Sequence, residues 1–179
     1  MKTLPISAAG FGDTTACIRV YIASRPPMAE YADLVTMQPL HSGEIELINR
    51  ACGNGWRKVF NVYAKLLFAL DTKQFAFTQH AGSWQQYREQ YLLQAGSNTA
   101  LVFSTPDLQP AKGAVHIIAG RTHAKAVLEA GLPAQLSWLN NEFAVDKHNR
   151  VLVCPYFDYR QLNNDKLAVL ARLIKALDE

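Results

Sequence analysis

The stretch Ala114-Val-His-Ile-Ile-Ala119-Gly-Arg-Thr-His123 decides how this chain is read. Its short apolar run, rich in β-branched residues, has the pattern of a strand buried on both faces. The run passes through Gly120 straight into residues 124–130, where apolar spacing predicts a helix. Strand, glycine and helix in that order make half of a βαβ unit. Such units imply right-handed crossovers and a parallel sheet.

Working outward, the same grammar recurs on both sides. Upstream, Thr99-Ala-Leu-Val-Phe103 is an apolar strand that ends in Ser104-Thr-Pro-Asp107. Earlier still, Ala16-Cys-Ile-Arg-Val-Tyr-Ile-Ala23 is a strand closed by Ser24-Arg-Pro-Pro27, where two prolines forbid regular pairing. Downstream, Arg150-Val-Leu-Val-Cys-Pro155 is a fourth strand, and Glu142-Phe-Ala-Val with the turn Asp146-Lys-His-Asn149 predicts a hairpin with it. Helices fill the intervals. From Ser42 a short capped helix is broken at Gly53-Asn-Gly55, and a second follows over 56–70. Ser83 caps a helix over 84–93 that ends at Gly96, and Asn164 caps a closing helix over 165–177. Phe75-Ala-Phe77 reads as a short strand or a loop. The expectation is one α/β domain over 1–179, a three-layer αβα sandwich around a central, mostly parallel sheet of four to five strands.

Composition agrees with a folded globular chain. Of 179 residues, 49% are apolar, 18% charged and 10% aromatic, far from the make-up of disordered proteins. The net charge of +3 is much weaker than a protein holding nucleic acid by charge alone requires. Cys17, Cys52 and Cys154 show no CxxC and no zinc-ligand spacing, so they read as reduced thiols, with no metal and no cofactor expected. No signal-peptide pattern opens the chain, and no stretch approaches the length of a membrane span. A cytoplasmic, membrane-free protein is therefore expected.

In open parallel sheets, ligands bind beyond the carboxyl ends of the strands. The loops there carry Arg25, Ser104 and Asp107, then Arg121, Thr122 and His123, then Tyr156, Asp158 and Arg160. Arg25, Arg121 and Arg160 come from three different loops and can converge on an anion. Arg121 and Thr122 also open a helix, where free N–H groups and the macrodipole favour phosphate; otherwise Thr122 is simply a cap. His123 and Asp158 are the candidates for acid–base chemistry. Cys154, at a strand end, sits where nucleophiles are presented. However, Pro155 removes the adjacent backbone donor an oxyanion needs, so a buried structural thiol is the better reading. His116, inside a strand, reads as a core imidazole, and Trp56, Phe60, Tyr63 and Phe68 as core aromatics at helical spacing.

In the C-terminal half of the chain, Val115 to Lys125, Val151-Leu-Val-Cys-Pro-Tyr156, the closing helix and Leu101-Val-Phe-Ser104 together resemble the uracil-DNA glycosylase superfamily. That resemblance implies a glycosylase-like fold. It also marks departures. Cys154 stands where the family has histidine, Tyr156 where it has serine, and Ser104 where it has the base-reading asparagine. Ser24-Arg-Pro-Pro27 replaces the loop bearing a water-activating aspartate. Losing those groups removes the stabilisation that glycosidic cleavage depends on. The expected function is binding of a nucleotide or nucleic acid at the strand ends through Arg25, Ser104, Arg121, Thr122 and Arg160, with Tyr156 as a stacking surface. The alternatives are a hydrolase or transferase acting on a small phosphorylated substrate, and a protein-interaction domain.

Overall fold

The computed structural model describes residues 5–108 and 113–179. The decisive stretch forms strand β5 (Val115–Ala119), every residue of it buried, and helix α5 (Arg121–Glu129). The other strands read from sequence are also present: β2 (Ile18–Tyr21), β4 (Thr99–Val102) and β8 (Val151–Cys154). These four pair in parallel in the spatial order β4-β2-β5-β8. The chain thus steps from β2 to one side, returns across it to β5, and continues to β8. The reversal places a crevice between the carboxyl ends of β2 and β5.

The sheet is wider than the four to five strands expected. Among the described residues it has eight, in the order β3-β1-β4-β2-β5-β8-β7-β6. On one side β1 (Gly10–Gly12) runs antiparallel to β4 and parallel to β3 (Met37–Gln38). On the other, β7 (Ala144–Asp146) forms the expected hairpin with β8 and carries the two-residue β6 (Ser137–Trp138). Antiparallel extensions therefore flank a parallel centre. β1 escapes a propensity reading because it is Gly-Phe-Gly. A Cβ at Gly10 would come within 2.5 Å of the Leu101 carbonyl oxygen, so the glycines are what let β1 lie against β4.

Side chains alternate across the sheet as the pleat demands. Ile18, Val20, Leu101, Val115, Ile117, Leu152 and Cys154 face one layer. That layer holds α2 (Glu44–Cys52), α3 (Asn54–Ala69), α4 (Trp84–Gln90) and α6 (Asn164–Ala176). The long helix α3 brings Val59, Phe60, Val62, Tyr63, Leu66 and Leu67 into this core, as their spacing predicts. The Tyr63 hydroxyl is buried there and donates to the Ala100 carbonyl at 2.9 Å, tying α3 to the sheet. On the second face α5 is the helix in contact with β5 and β8, over Ile118, Val151 and Val153. Helices do cover both faces, but unequally. The remaining helix, α1 (Ala29–Ala32), is a single turn after the proline loop.

Helix ends shift by a few residues from their expected places. Asn163, rather than Asn164, caps α6 by accepting from the Lys166 N–H at 3.0 Å. Ser83 caps α4 as expected, accepting from the Gln86 N–H at 3.1 Å, but the helix stops at Gln90. Helix α2 starts at Glu44 behind Gly43 with no side-chain cap, so Ser42 plays no capping part. Gly53 alone separates α2 from α3, while Asn54 and Gly55, expected in the break, already belong to α3. Phe75 lies in a loop and Phe77 opens a single 3-10 turn (Phe77–Gln79), so no strand forms there. No helix among the described residues is long and apolar enough to cross a membrane.

Candidate functional site

The crevice predicted by the strand order contains a cavity of about 500 Å³. Ala23 from beyond β2, Ala119 and Gly120 from the end of β5, and Pro155 and Tyr156 from beyond β8 form its walls. The opening of α5 closes one side with Arg121, Thr122 and His123. Gly120 makes this geometry possible. Its φ of +100° turns the chain from strand into helix, and its N–H donates to the Cys154 carbonyl at 2.8 Å, which ties the start of α5 to the end of β8. No side chain caps α5, so the N–H groups of its first turn are left for a ligand or for water. Thr122 is therefore a cavity residue in the first turn and does not cap the helix.

The Arg121 guanidinium donates to the carbonyl and side-chain oxygens of Asn141 at 3.1 and 3.2 Å and lies 5.2 Å above the Trp138 ring. Its partners are neutral, so its charge is not offset by a carboxylate. His123 is half-buried, and its Nε2 is shielded from solvent without a hydrogen-bond partner. Burial lowers its pKa and keeps the imidazole neutral. Burial, and then the nearby Asp158 carboxylate, raise the pKa of Tyr156, which stays a phenol. Glu142 is already paired, through Lys166 Nζ at 2.8 Å.

Over residues 9–175 the chain matches a model described as a family of unknown function, DUF6942. The chain belongs to that family. No curated protein and no solved structure matches it significantly.

The residues singled out in the sequence divide into two groups. Arg121, Thr122, His123 and Tyr156 come together at the switch-point cavity. The others do not join them. Arg25 donates to the Tyr31, Ala32 and Leu34 carbonyls at 2.9, 3.3 and 2.8 Å, and so it fastens the end of α1. Ser104 lines a separate cavity of only about 40 Å³, beside Arg19 and Tyr21. Asp158 is buried, and its carboxylate accepts from the Arg160 backbone N–H at 2.9 Å and from the Arg160 guanidinium at 3.1 Å, with Lys58 Nζ 3.5 Å away. These bonds, the Arg160 side chain foremost, hold the carboxyl below the usual range, so Asp158 is an ionised loop clamp and not a proton donor. Arg160 is its partner, and the expected convergence of three arginines reduces to Arg121 alone.

Cys154 is fully buried on the α3–α6 face, where burial raises the thiol pKa. It is the structural cysteine the sequence suggested. His116 is equally a core residue: Tyr21 Oη lies 2.8 Å from its Nδ1, and burial brings its pKa down to about 4. Sequence reading missed Asn141, Glu142 and Gln161, which also line the cavity. They carry no motif. Asn141 is placed by the turn in which Asn140 Oδ1 accepts from the Glu142 and Phe143 N–H groups at 2.8 Å each. Among the described residues no His, Cys, Asp and Glu cluster suited to a metal is found.

Proposed function

We propose that this DUF6942 protein binds a mononucleotide-sized ligand in the switch-point cavity. The phosphate would sit on the first-turn N–H groups of α5 beside Arg121, and the base against Tyr156. The observation that carries this reading is the meeting of an uncapped helix N-terminus, an arginine with only neutral partners, and an aromatic wall around one 500 Å³ cavity. Cavities of roughly 300–1,000 Å³ suit ligands of this size, and helix N-termini favour phosphate.

A single nucleotide is preferred over a long nucleic acid because Arg25 and Arg160 are committed elsewhere. The resemblance to uracil-DNA glycosylases enters the proposal as kinship of fold without base excision. Of its three key positions only Tyr156 lines the cavity, while Cys154 is sealed in the core and Ser104 lies apart.

The test is calorimetric and thermal-shift titration with nucleoside monophosphates and with short uracil-containing oligonucleotides. A ligand that binds only the folded state raises the melting temperature. Monophosphate binding that weakens about tenfold in Arg121→Ala supports the reading. Binding unchanged in that variant, or no binding at millimolar ligand, refutes it.

A second reading, a hydrolase or transferase on a phosphorylated substrate, draws on His123, whose Nε2 is neutral and without a partner. Turnover of a phosphoester that disappears in His123→Gln, with ligand affinity kept, would favour it.

A further inference from the structure

The opposite edge of the sheet holds a second and larger cavity of about 930 Å³. Here the amino ends of the parallel strands converge. Cys17 immediately precedes β2, Asn98 immediately precedes β4, and Arg150 immediately precedes β8. The switch-point cavity shares no lining residue with it.

Its lining has two chemical parts. The half-buried Phe75 ring stacks on the core ring of Phe77, with centroids 6.0 Å apart and planes within 14° of parallel, next to Cys17, which burial keeps a neutral thiol. The β7–β8 turn contributes Lys147, whose Nζ donates to the Glu179 main-chain oxygen, Arg150, which is paired with the Asp178 carboxylate, and the exposed His148. The Phe75 ring thus adjoins a turn that carries two cations, Lys147 and Arg150.

The backbone gives a second, independent indication. Among the described residues, Leu93, Asn98 and Arg150 are the non-glycine positions with left-handed φ, and two of them, Asn98 at +62° and Arg150 at +58°, line this cavity. Asparagine tolerates that region, whereas a long side chain there is strained. Such strain concentrates where a side chain is needed in one place. The Arg150 guanidinium is held there by the Ala114 carbonyl, 3.2 Å from Nε, and by an ion pair with Asp178.

We propose that this cavity is a second ligand site, which takes a flat organic anion. The apolar body lies against the Phe75 ring, and the anionic group replaces the Asp178 carboxylate on Arg150, with the exposed Lys147 adding attraction. The ion pair with Asp178 closes the cationic end when the site is empty. Removing that carboxylate therefore strengthens binding, an effect that a merely structural ion pair would not produce.

The probe is anilinonaphthalene sulfonate, a flat aromatic sulfonate, followed by fluorescence titration and by amide nitrogen–proton spectra that locate it. The expected result is saturable binding with shifts at Gly96, Asn98, Gly113 and His148. Ala76→Trp, at an exposed lining position, blocks the cavity and weakens binding about tenfold. His148→Glu weakens it by a similar factor, and Asp178→Asn tightens it several-fold. Far-ultraviolet circular dichroism establishes that each variant is folded. Shifts confined to Ala23, Gly120 and Thr122, or equal affinities for wild type, Ala76→Trp, His148→Glu and Asp178→Asn, overturn the proposal. A probe that does not bind at all overturns it equally.

Discussion

The buried imidazole of His116 should make the protein measurably less stable in mild acid. Its ring is 2% exposed, and burial foremost, aided by the charges of Arg19 and Arg150, brings its pKa from 6.5 down to about 4. The folded chain therefore resists protonation where the unfolded chain accepts it. By linkage, the stability this creates is complete above pH 6.5, declines as the pH falls, and is exhausted below pH 4. One pKa unit corresponds to about 1.4 kcal/mol, so the loss reaches about 2 kcal/mol at pH 5 and about 3 kcal/mol at pH 4. The comparison variant is His116→Asn, whose side-chain oxygen can accept from the Tyr21 hydroxyl in place of Nδ1. Urea unfolding of both proteins at pH 7.5, 6, 5 and 4 measures the difference, and groups common to both cancel. The two stability curves should converge by roughly 2–3 kcal/mol as the pH falls. Parallel curves would show that His116 takes up its proton as readily in the folded chain as in the unfolded one and would refute the assignment of a depressed pKa to a core imidazole.

Further predictions test the packing and the clamps. Gly12→Ala would place a Cβ on the Thr99 carbonyl oxygen at a φ of +108°, so urea unfolding should show a loss of about 3 kcal/mol or more. Asp158→Asn removes the charge that holds Arg160 and Lys58, and it should cost about 1–2 kcal/mol at pH 7 while leaving nucleotide affinity within about twofold. Cys154 should resist Ellman's reagent in the folded protein and react only after unfolding, because the thiol is both inaccessible and held protonated.

The parallel centre of the sheet was legible because its strands are buried on both faces and so appear as unbroken apolar runs. The β7–β8 hairpin was legible from its turn, whose Asp146 accepts from the Asn149 N–H at 3.1 Å. β1 and β3 were not, because their pairing comes from where they dock. Gly-Phe-Gly has little strand preference of its own, but Phe11 is fully buried and packs edge-on against Tyr31 and Phe103, 4.8 and 5.0 Å away. The strand-edge rule likewise picked out Arg121, Thr122, His123 and Tyr156, which line one cavity. It could not separate Arg121 from Arg25 and Arg160, since the distinction lies in their partners: the α1 carbonyls for one and the Asp158 carboxylate for the other.

Those partners also limit what the carboxyl edge can bind. Lys58 and Arg160 share Asp158, and Lys166 is matched by Glu142. Arg25 is spent on backbone carbonyls. Arg121 rests on an amide and an indole, so it brings an uncancelled positive charge to the cavity, next to the partial positive charge of the α5 N-terminus. One such focus suits one phosphate. A protein that tracks a polynucleotide neutralises several phosphates and loses affinity steeply with salt, with a slope of about −0.7 per contact on single strands. If Arg121 and α5 form the whole anion site, the logarithm of affinity for single-stranded oligonucleotides should fall with the logarithm of salt at a slope of about −0.7, whatever their length. A slope steepening with oligonucleotide length would mean that a cationic track exists beyond this cavity and that a single nucleotide is the wrong ligand.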